Sequence, residues 1–311
     1  MQSEALRDVF GKELLALGHD NDKIVVLDAD LSSTTRSAFF GDVFPDRFFN
    51  MGIAEANMVS VAAGLSTCGY IPYVATFGFL LALRATDQIR SQLCYPRLNV
   101  KLIGSNAGLT GHGDGATHQT TNDLAILGSI PNMKLLVPSD DITLRWAIRE
   151  AAEIDGPVYV RVPRVAAERC HSEDDTFEFG KGIVHREGTD LTIVTMGLML
   201  EQSLKAADTL EKEGISASVV EILTLKPFDK ELIVGQAKKT GALVTVEEHN
   251  LFGGLFSLTA EAVSETNPVP VTHIAVEDRF GETGSYSEIL DSCGLTTEHI
   301  VEQAKKAVAL K

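Results

Sequence analysis

The stretch from Phe49 to Phe79, FNMGIAEANMVSVAAGLSTCGYIPYVATFGF, decides how the chain folds. From Ala54 the apolar positions Met58, Val61, Ala62 and Leu65 recur at helical spacing, and Gly69 closes the run. Ile71 to Phe77 follows as a short, mostly apolar segment bounded by Gly and Pro, the pattern of a strand buried in a parallel sheet. One carboxylate, Glu55, stands at the helix start between Gly52-Ile53-Ala54 and Ala56-Asn57-Met58. Two readings fit it. It is a first-turn acid stabilised by the helix dipole by roughly 0.3–1 kcal/mol, or a buried acid that shares a proton with a ligand nitrogen.

The chain has 311 residues, room for two domains of ordinary size. A formal charge of −16 argues against nucleic acid or an anionic membrane as partner. Cys68, Cys94, Cys170 and Cys293 lack CxxC or zinc-finger spacing, so neither a disulfide framework nor a metal site is expected. The opening MQSEALRDVFGKELL reads as an amphipathic helix without the apolar core of a signal peptide. No apolar run of about 18 residues occurs, so no membrane span is expected and the expected location is cytoplasmic.

Working outward, Leu6, Val9, Phe10, Leu14 and Leu17 form a helical stripe, and Ile24–Leu27 a buried strand ending at Asp28-Ala29-Asp30. Polar residues past the carboxyl end of a parallel strand are where α/β folds place ligands, so Asp30 is a candidate; Ser32, Ser33 and Thr34 read as helix-capping residues. Leu81–Gln92 reads as a helix with Arg84 on its polar face, and Val100–Gly104 as a strand. Asn106–Leu127, NAGLTGHGDGATHQTTNDLAIL, packs four glycines and two histidines into a mobile loop. His112 and His118 make a weak zinc pair, six residues apart with no third ligand, and His112 reads as exposed. Pro138-Ser139-Asp140 caps a helix through Trp146 to Ala152, and Gly156–Pro163 holds a strand with Arg164 just past its end, placed to grip an anion. The charged run Ala166–Thr176 reads as a linker, after which strands and helices alternate again.

GIAEANMVSVAAGL followed by a strand and TF resembles the pyrimidine-binding domain of thiamine diphosphate enzymes, transketolase in particular. VEEHNLFGGL and DRFGETGSYSEIL extend the resemblance to that family's C-terminal domain. The implied fold is α/β with two doubly wound domains: 1–168 binding the pyrimidine, 169–182 as linker and 183–311 as the C-terminal domain. In that family the acid equivalent to Glu55 hydrogen-bonds the aminopyrimidine and drives the tautomer that generates the ylid. The resemblance places Phe77 or Phe79 against the pyrimidine, with Leu80 where many relatives carry a stacking Phe. Asp30 is expected on the cofactor side as well. GDG-A-THQ resembles the DG-x-THQ signature of transketolase and deoxyxylulose phosphate synthase. It implies that Asp114 reads a substrate hydroxyl and that His118 binds the donor and stabilises an oxyanion. Arg164 and Arg7 match family phosphate-binding arginines, whereas Ser105-Asn106 replaces a phosphate-contacting His.

Gly113-Asp114-Gly115 also copies the opening of the diphosphate–magnesium motif, but the Asn that the motif needs is absent downstream. No other segment supplies a diphosphate domain. The resemblance therefore implies a split enzyme: thiamine diphosphate and Mg²⁺ shared with an N-terminal diphosphate-binding subunit, no metal held by this chain, and a heterotetramer. The expected reaction transfers a two-carbon ketol unit from a ketose, expected to be phosphorylated, to an aldose. The alternatives are the beta subunit of a 2-oxo-acid dehydrogenase, which lacks DG-x-THQ, and an inert relative that only binds a partner. Glu248, His249 and Asn250 are expected to be structural or to lie in an interface.

Overall fold

The computed structural model describes residues 2–311. Its strands, in chain order, are β1 (Gln2–Ala5), β2 (Ile24–Asp28), β3 (Phe48–Asn50), β4 (Ile71–Phe77), β5 (Lys101–Ser105), β6 (Lys134–Leu136) and β7 (Val158–Val162). They continue as β8 (Ala166–Glu168), β9 (Ile183–Arg186), β10 (Leu191–Thr195), β11 (Ala217–Glu221), β12 (Thr224–Lys226), β13 (Leu243–Asn250) and β14 (Val271–Val276).

The larger sheet has the order β12-β6-β7-β5-β4-β2-β3. Its strands run parallel except at the β12–β6 edge. β2, β4, β5 and β7 are apolar nearly throughout because helices cover both faces. From β2 the chain moves outward to β3, then crosses back to place β4 on the other side of β2. The carboxyl ends of β2 and β4 therefore flank a topological switch point, where open α/β sheets form ligand crevices. The helix Glu55–Thr67 makes that crossover, so its first residue lies at the crevice.

The smaller sheet, β14-β13-β10-β11-β9, is parallel except for β9. Both sheets show the expected α/β architecture, and one apolar core runs between them: Leu127, Leu135 and Val137 pack in the same cluster as Met196, Ile222 and Leu225. Among the described residues no helix is long and apolar enough to cross a membrane.

Several local expectations change. The single helix over Leu81–Gln92 is instead Gly78–Arg84, a short turn Thr86–Gln88 and a π-helical turn Ile89–Cys94. The Thr86 hydroxyl donates to the Ala82 carbonyl, a side-chain bond that bends helices at the point where the break falls. Ala166–Glu168, read as linker, is a strand paired with β1. β9 and β12 escaped the pattern reading because both are short edge strands without an alternating apolar face. No side-chain cap comes from Ser32, Ser33 or Thr34 to the helix Ser32–Thr35; the buried Asp28 carboxylate accepts from Leu31 N instead.

Candidate active site

A cleft of about 290 Å³ opens at the switch point. Asp30 lines it from the end of β2, Glu55 from its helix start, Phe77 and Phe79 from the end of β4, and His118 from the glycine-rich loop. Five candidates from four separate segments thus share one cavity. Asp28, next to the lining residues Ala29 and Asp30, ties down the turn after β2: its carboxylate, fully buried, accepts from Leu31 N, the Thr35 hydroxyl and the Ser37 hydroxyl. Burial raises its pKa, and these hydrogen bonds oppose the rise. Asp30 follows with φ of 63°, tied to Asn50 by a bond from its backbone N–H at 3.2 Å and a second to its own carboxylate at 3.1 Å.

Glu55 is 4% exposed. Arg84 Nη1 donates to it at 3.2 Å, a contact that the helical reading of Arg84 as a polar-face residue missed. The two aromatic rings flank His118: Phe77 at 5.8 Å and Phe79 at 5.7 Å, both edge-on. Thr117 Oγ1 lies 3.0 Å from His118 Nδ1 and so orients the ring. Leu80, Ala29, Leu31 and Ile53 complete the wall. A slot lined by two aromatic rings and aliphatic carbon, with one buried carboxylate, suits a flat heteroaromatic ring bearing a polar edge.

The loop that carries His118 is held closely. Ala107 and Gly108 bridge to Thr120, and a β-carbon on Gly111 would stand 2.3 Å from the His118 carbonyl, so this turn requires glycine. His112, expected to be exposed, turns to the second domain, where its Nδ1 lies 3.0 Å from the Gly284 carbonyl. Asp114, Arg164 and Arg7 lie outside the cleft. Arg164 Nη1 donates to Asp114 at 2.7 Å, so these two candidates pair with each other. Arg7 has a buried Nε without a partner among the described residues, and its pKa is lowered by burial and by the neighbouring Arg36 and Arg164 charges. Asn106, at φ of 55°, likewise keeps both amide atoms buried and unpaired among the described residues.

Behind the loop, Arg161 joins the two domains. It donates to Asp123 at 3.1 and 3.2 Å, to the Thr120 carbonyl at 2.7 Å and to the Glu248 carbonyl at 3.1 Å. The Glu248 carboxylate accepts from Leu109 N at 2.5 Å and from the Tyr286 hydroxyl at 2.8 Å. Burial pushes Glu248 up to about 7 and Glu247 up to about 8, while burial pulls His249 down to about 4. A raised carboxyl holds its proton in the folded state after the unfolded chain has lost it near 4.5, so its contribution to stability is lost as pH rises through the folded value. We expect the free energy of unfolding to fall between about pH 5 and 8. Glu247→Gln removes the titrating group, keeping an acceptor oxygen for only one of the two donors, Leu255 N and Phe256 N, and should flatten that decline in denaturant titrations across this range even though the variant starts less stable; an unchanged slope would remove Glu247 from this role.

A cleft with a single buried acid at the switch point of a doubly wound sheet defines a ligand-binding α/β protein. Residues 2–168 match the transketolase pyrimidine-binding domain, and residues 180–300 the transketolase C-terminal domain. The chain belongs to the transketolase family. It is 40% identical to the 6-deoxy-6-sulfo-D-fructose transketolase subunit SqwH of Clostridium sp. strain MSTE9, over 100% of this chain and 97% of that protein. A solved structure of a split-gene transketolase, described as an inactive beta4 tetramer, is 48% identical with a TM-score of 0.90 and covers 99% of both chains. The 1-deoxy-D-xylulose-5-phosphate synthase of Heliobacterium modesticaldum is 37% identical over 96% of this chain but only 46% of its own length.

Proposed function

We propose that this chain is the pyrimidine-binding and C-terminal subunit of a split transketolase. On this reading it works with an N-terminal diphosphate-binding subunit, in a heterotetramer and in the cytoplasm, and moves a two-carbon ketol unit from a ketose to an aldose. Residues 1–168 form the pyrimidine-binding domain, 169–182 the linker and 183–311 the C-terminal domain. One observation carries the reading: Glu55, Phe77, Phe79, Asp30 and His118 line the same cleft.

The cleft fits the aminopyrimidine of thiamine diphosphate, since its aromatic walls and one buried acid match a flat ring with polar nitrogens. When bound, that cofactor supplies the nucleophilic carbon that attacks the donor carbonyl. Glu55 holds and returns a proton at its carboxylate oxygen. Phe77 and Phe79 exclude water and grip the ring face, and Asp30 lines the same wall. His118, fixed by Thr117, donates to the oxygen that gains charge. His118→Ala should therefore lower kcat of the assembled enzyme about 10²–10³-fold, and a loss below about threefold would take His118 out of the reaction.

Arg7, Arg36 and Arg164 bring three guanidinium groups near one another, with Asp8 and Asp114 as their acidic partners. The residual positive charge suits the anionic end of a sugar phosphate, and Asp114, already bonded to Arg164, is placed to read a hydroxyl beside it.

The Arg84 guanidinium holds the Glu55 carboxylate at the edge of the cleft, where a ligand nitrogen would have to compete for it. Arg84 is 56% exposed, and neighbouring Leu83 and the cleft residue Ile53 are 57% and 76% exposed. A partner subunit seated on this apolar rim would draw Arg84 away and seal the cleft from water. The partner would also bring the diphosphate and Mg²⁺ site. The beta-only assembly described as inactive among split-gene relatives supports this division of labour. Calorimetric titration of thiamine diphosphate with Mg²⁺ tests it: no binding to this chain alone and tight binding to the pair is expected. Tight binding by the isolated chain would overturn it. Turnover of the pair with ketose donors but not with pyruvate would separate transketolase from synthase chemistry.

A further inference from the structure

The junction between the two sheets holds a second cluster of chemistry-bearing groups that the cleft does not use. His171 follows β8, His185 lies on β9 and Glu221 ends β11, and one ligand atom from each lies within 4.8 Å of the others. As folded, His171 Nε2 is 2.9 Å and His185 Nε2 2.8 Å from the same oxygen, Glu221 Oε2. The other oxygen, Oε1, is buried with no hydrogen-bond partner among the described residues, and the Glu221 side chain is fully buried. A buried carboxylate oxygen left unpaired is costly unless it serves a further purpose.

The surroundings prepare these atoms as ligands. The Asp140 carboxylate accepts from Thr143 N, Cys170 N and His171 N, and stands 2.9 Å from His171 Nδ1. A carboxylate fixed on Nδ1 sets the tautomer and aims Nε2 at the cluster, the outer arrangement that supports histidine ligands of metal ions. The nearby Cys170 is not among the clustered ligand atoms; its sulfur faces the Glu168 carbonyl. His185, 13% exposed, is the member of the cluster that solvent reaches most readily.

We propose that His171, His185 and Glu221 form a binding site for one borderline divalent transition-metal ion of the Zn²⁺ class. Two imidazole nitrogens and one carboxylate exclude Ca²⁺ and Mg²⁺, which demand oxygen ligands, and match the two-nitrogen, one-oxygen sets that zinc accepts. The ion replaces the ring protons that now face Glu221 and takes up the unpaired Oε1. It ties the linker segment to β9 and β11, with Asp140 linking it to the first domain. The site shares no residue with the cleft and does not depend on the proposed function.

The test titrates Co²⁺ into the full chain after chelator treatment and dialysis, read by visible d–d absorption, with Zn²⁺ added as competitor. We expect one saturable, zinc-displaceable Co²⁺ per chain. His185→Asn, at the more exposed edge, should weaken it by about 100-fold, and Glu221→Gln by a similar factor. His273→Asn, on the far strand β14, should leave it unchanged. Circular dichroism confirms that each variant is folded, and His185→Asn decides the matter if Glu221→Gln is not. Absence of saturable binding, or binding unchanged in His185→Asn, overturns the proposal.

Discussion

Replacing Glu55 with Gln should leave the assembled enzyme intact and reduce turnover by about 10²–10⁴-fold, the range that a positioned proton donor or acceptor contributes. The substitution keeps the side-chain volume and one acceptor oxygen, so the helix Glu55–Thr67 and the Met58 and Ala62 packing beneath it should survive. Arg84 loses a charged partner but is already more than half exposed, so its pairing carries little stability. What disappears is a group that can take up and release a proton at this point in a water-poor cleft. Steady-state kinetics on the complex, with size-exclusion chromatography to establish assembly, measures the effect. Near-normal turnover by an intact Glu55→Gln complex would end the assignment of Glu55 as the proton-handling acid.

The second large effect is on stability. Asp123 is fully buried against Arg161, which is itself 5% exposed, and it also accepts from the Tyr159 hydroxyl at 2.7 Å. Asp123→Ala leaves a buried guanidinium with carbonyl partners only, together with an unpaired hydroxyl. Breaking a buried pair from one side typically costs about 3–5 kcal/mol, because the remaining charge is uncompensated. Denaturant unfolding should show a loss of that size. A loss of less than about 1 kcal/mol would mean that the Thr120 and Glu248 carbonyls carry Arg161 without help. Since Arg161 also holds the loop that bears His118, turnover should fall with stability. Tyr159→Phe removes only the hydroxyl and serves as a milder comparison.

Much of the first domain was legible because its elements carry strong local periods. The strand Ile71–Phe77 and the helix start at Glu55 follow from apolar spacing, and the helix cap follows from the turn-forming run Pro138-Ser139-Asp140, within which the structure identifies Asp140 as the capping residue. The candidate residues in the cleft were also legible, because each sits at an element end or in a glycine-rich turn, and the resemblance supplied their roles. Edge strands such as β9 and β12 were not legible, because a strand paired on one side only needs neither a continuous apolar run nor clean alternation. His112 was misread as exposed because nothing within its own loop announces a carbonyl from residue 284.

The sequence by itself determined the α/β class and the positions of most of the main helices and strands. These depend on local backbone preference and short-range apolar period, which neighbouring residues settle among themselves. Tertiary structure alone decided which residues meet. Glu55 and Arg84 are 29 positions apart, Asp114 and Arg164 are 50 apart, and Leu109 reaches Glu248 across 139. Such pairs are set by strand order and crossover direction, long-range choices made by burial of the whole sheet and carried by no local pattern.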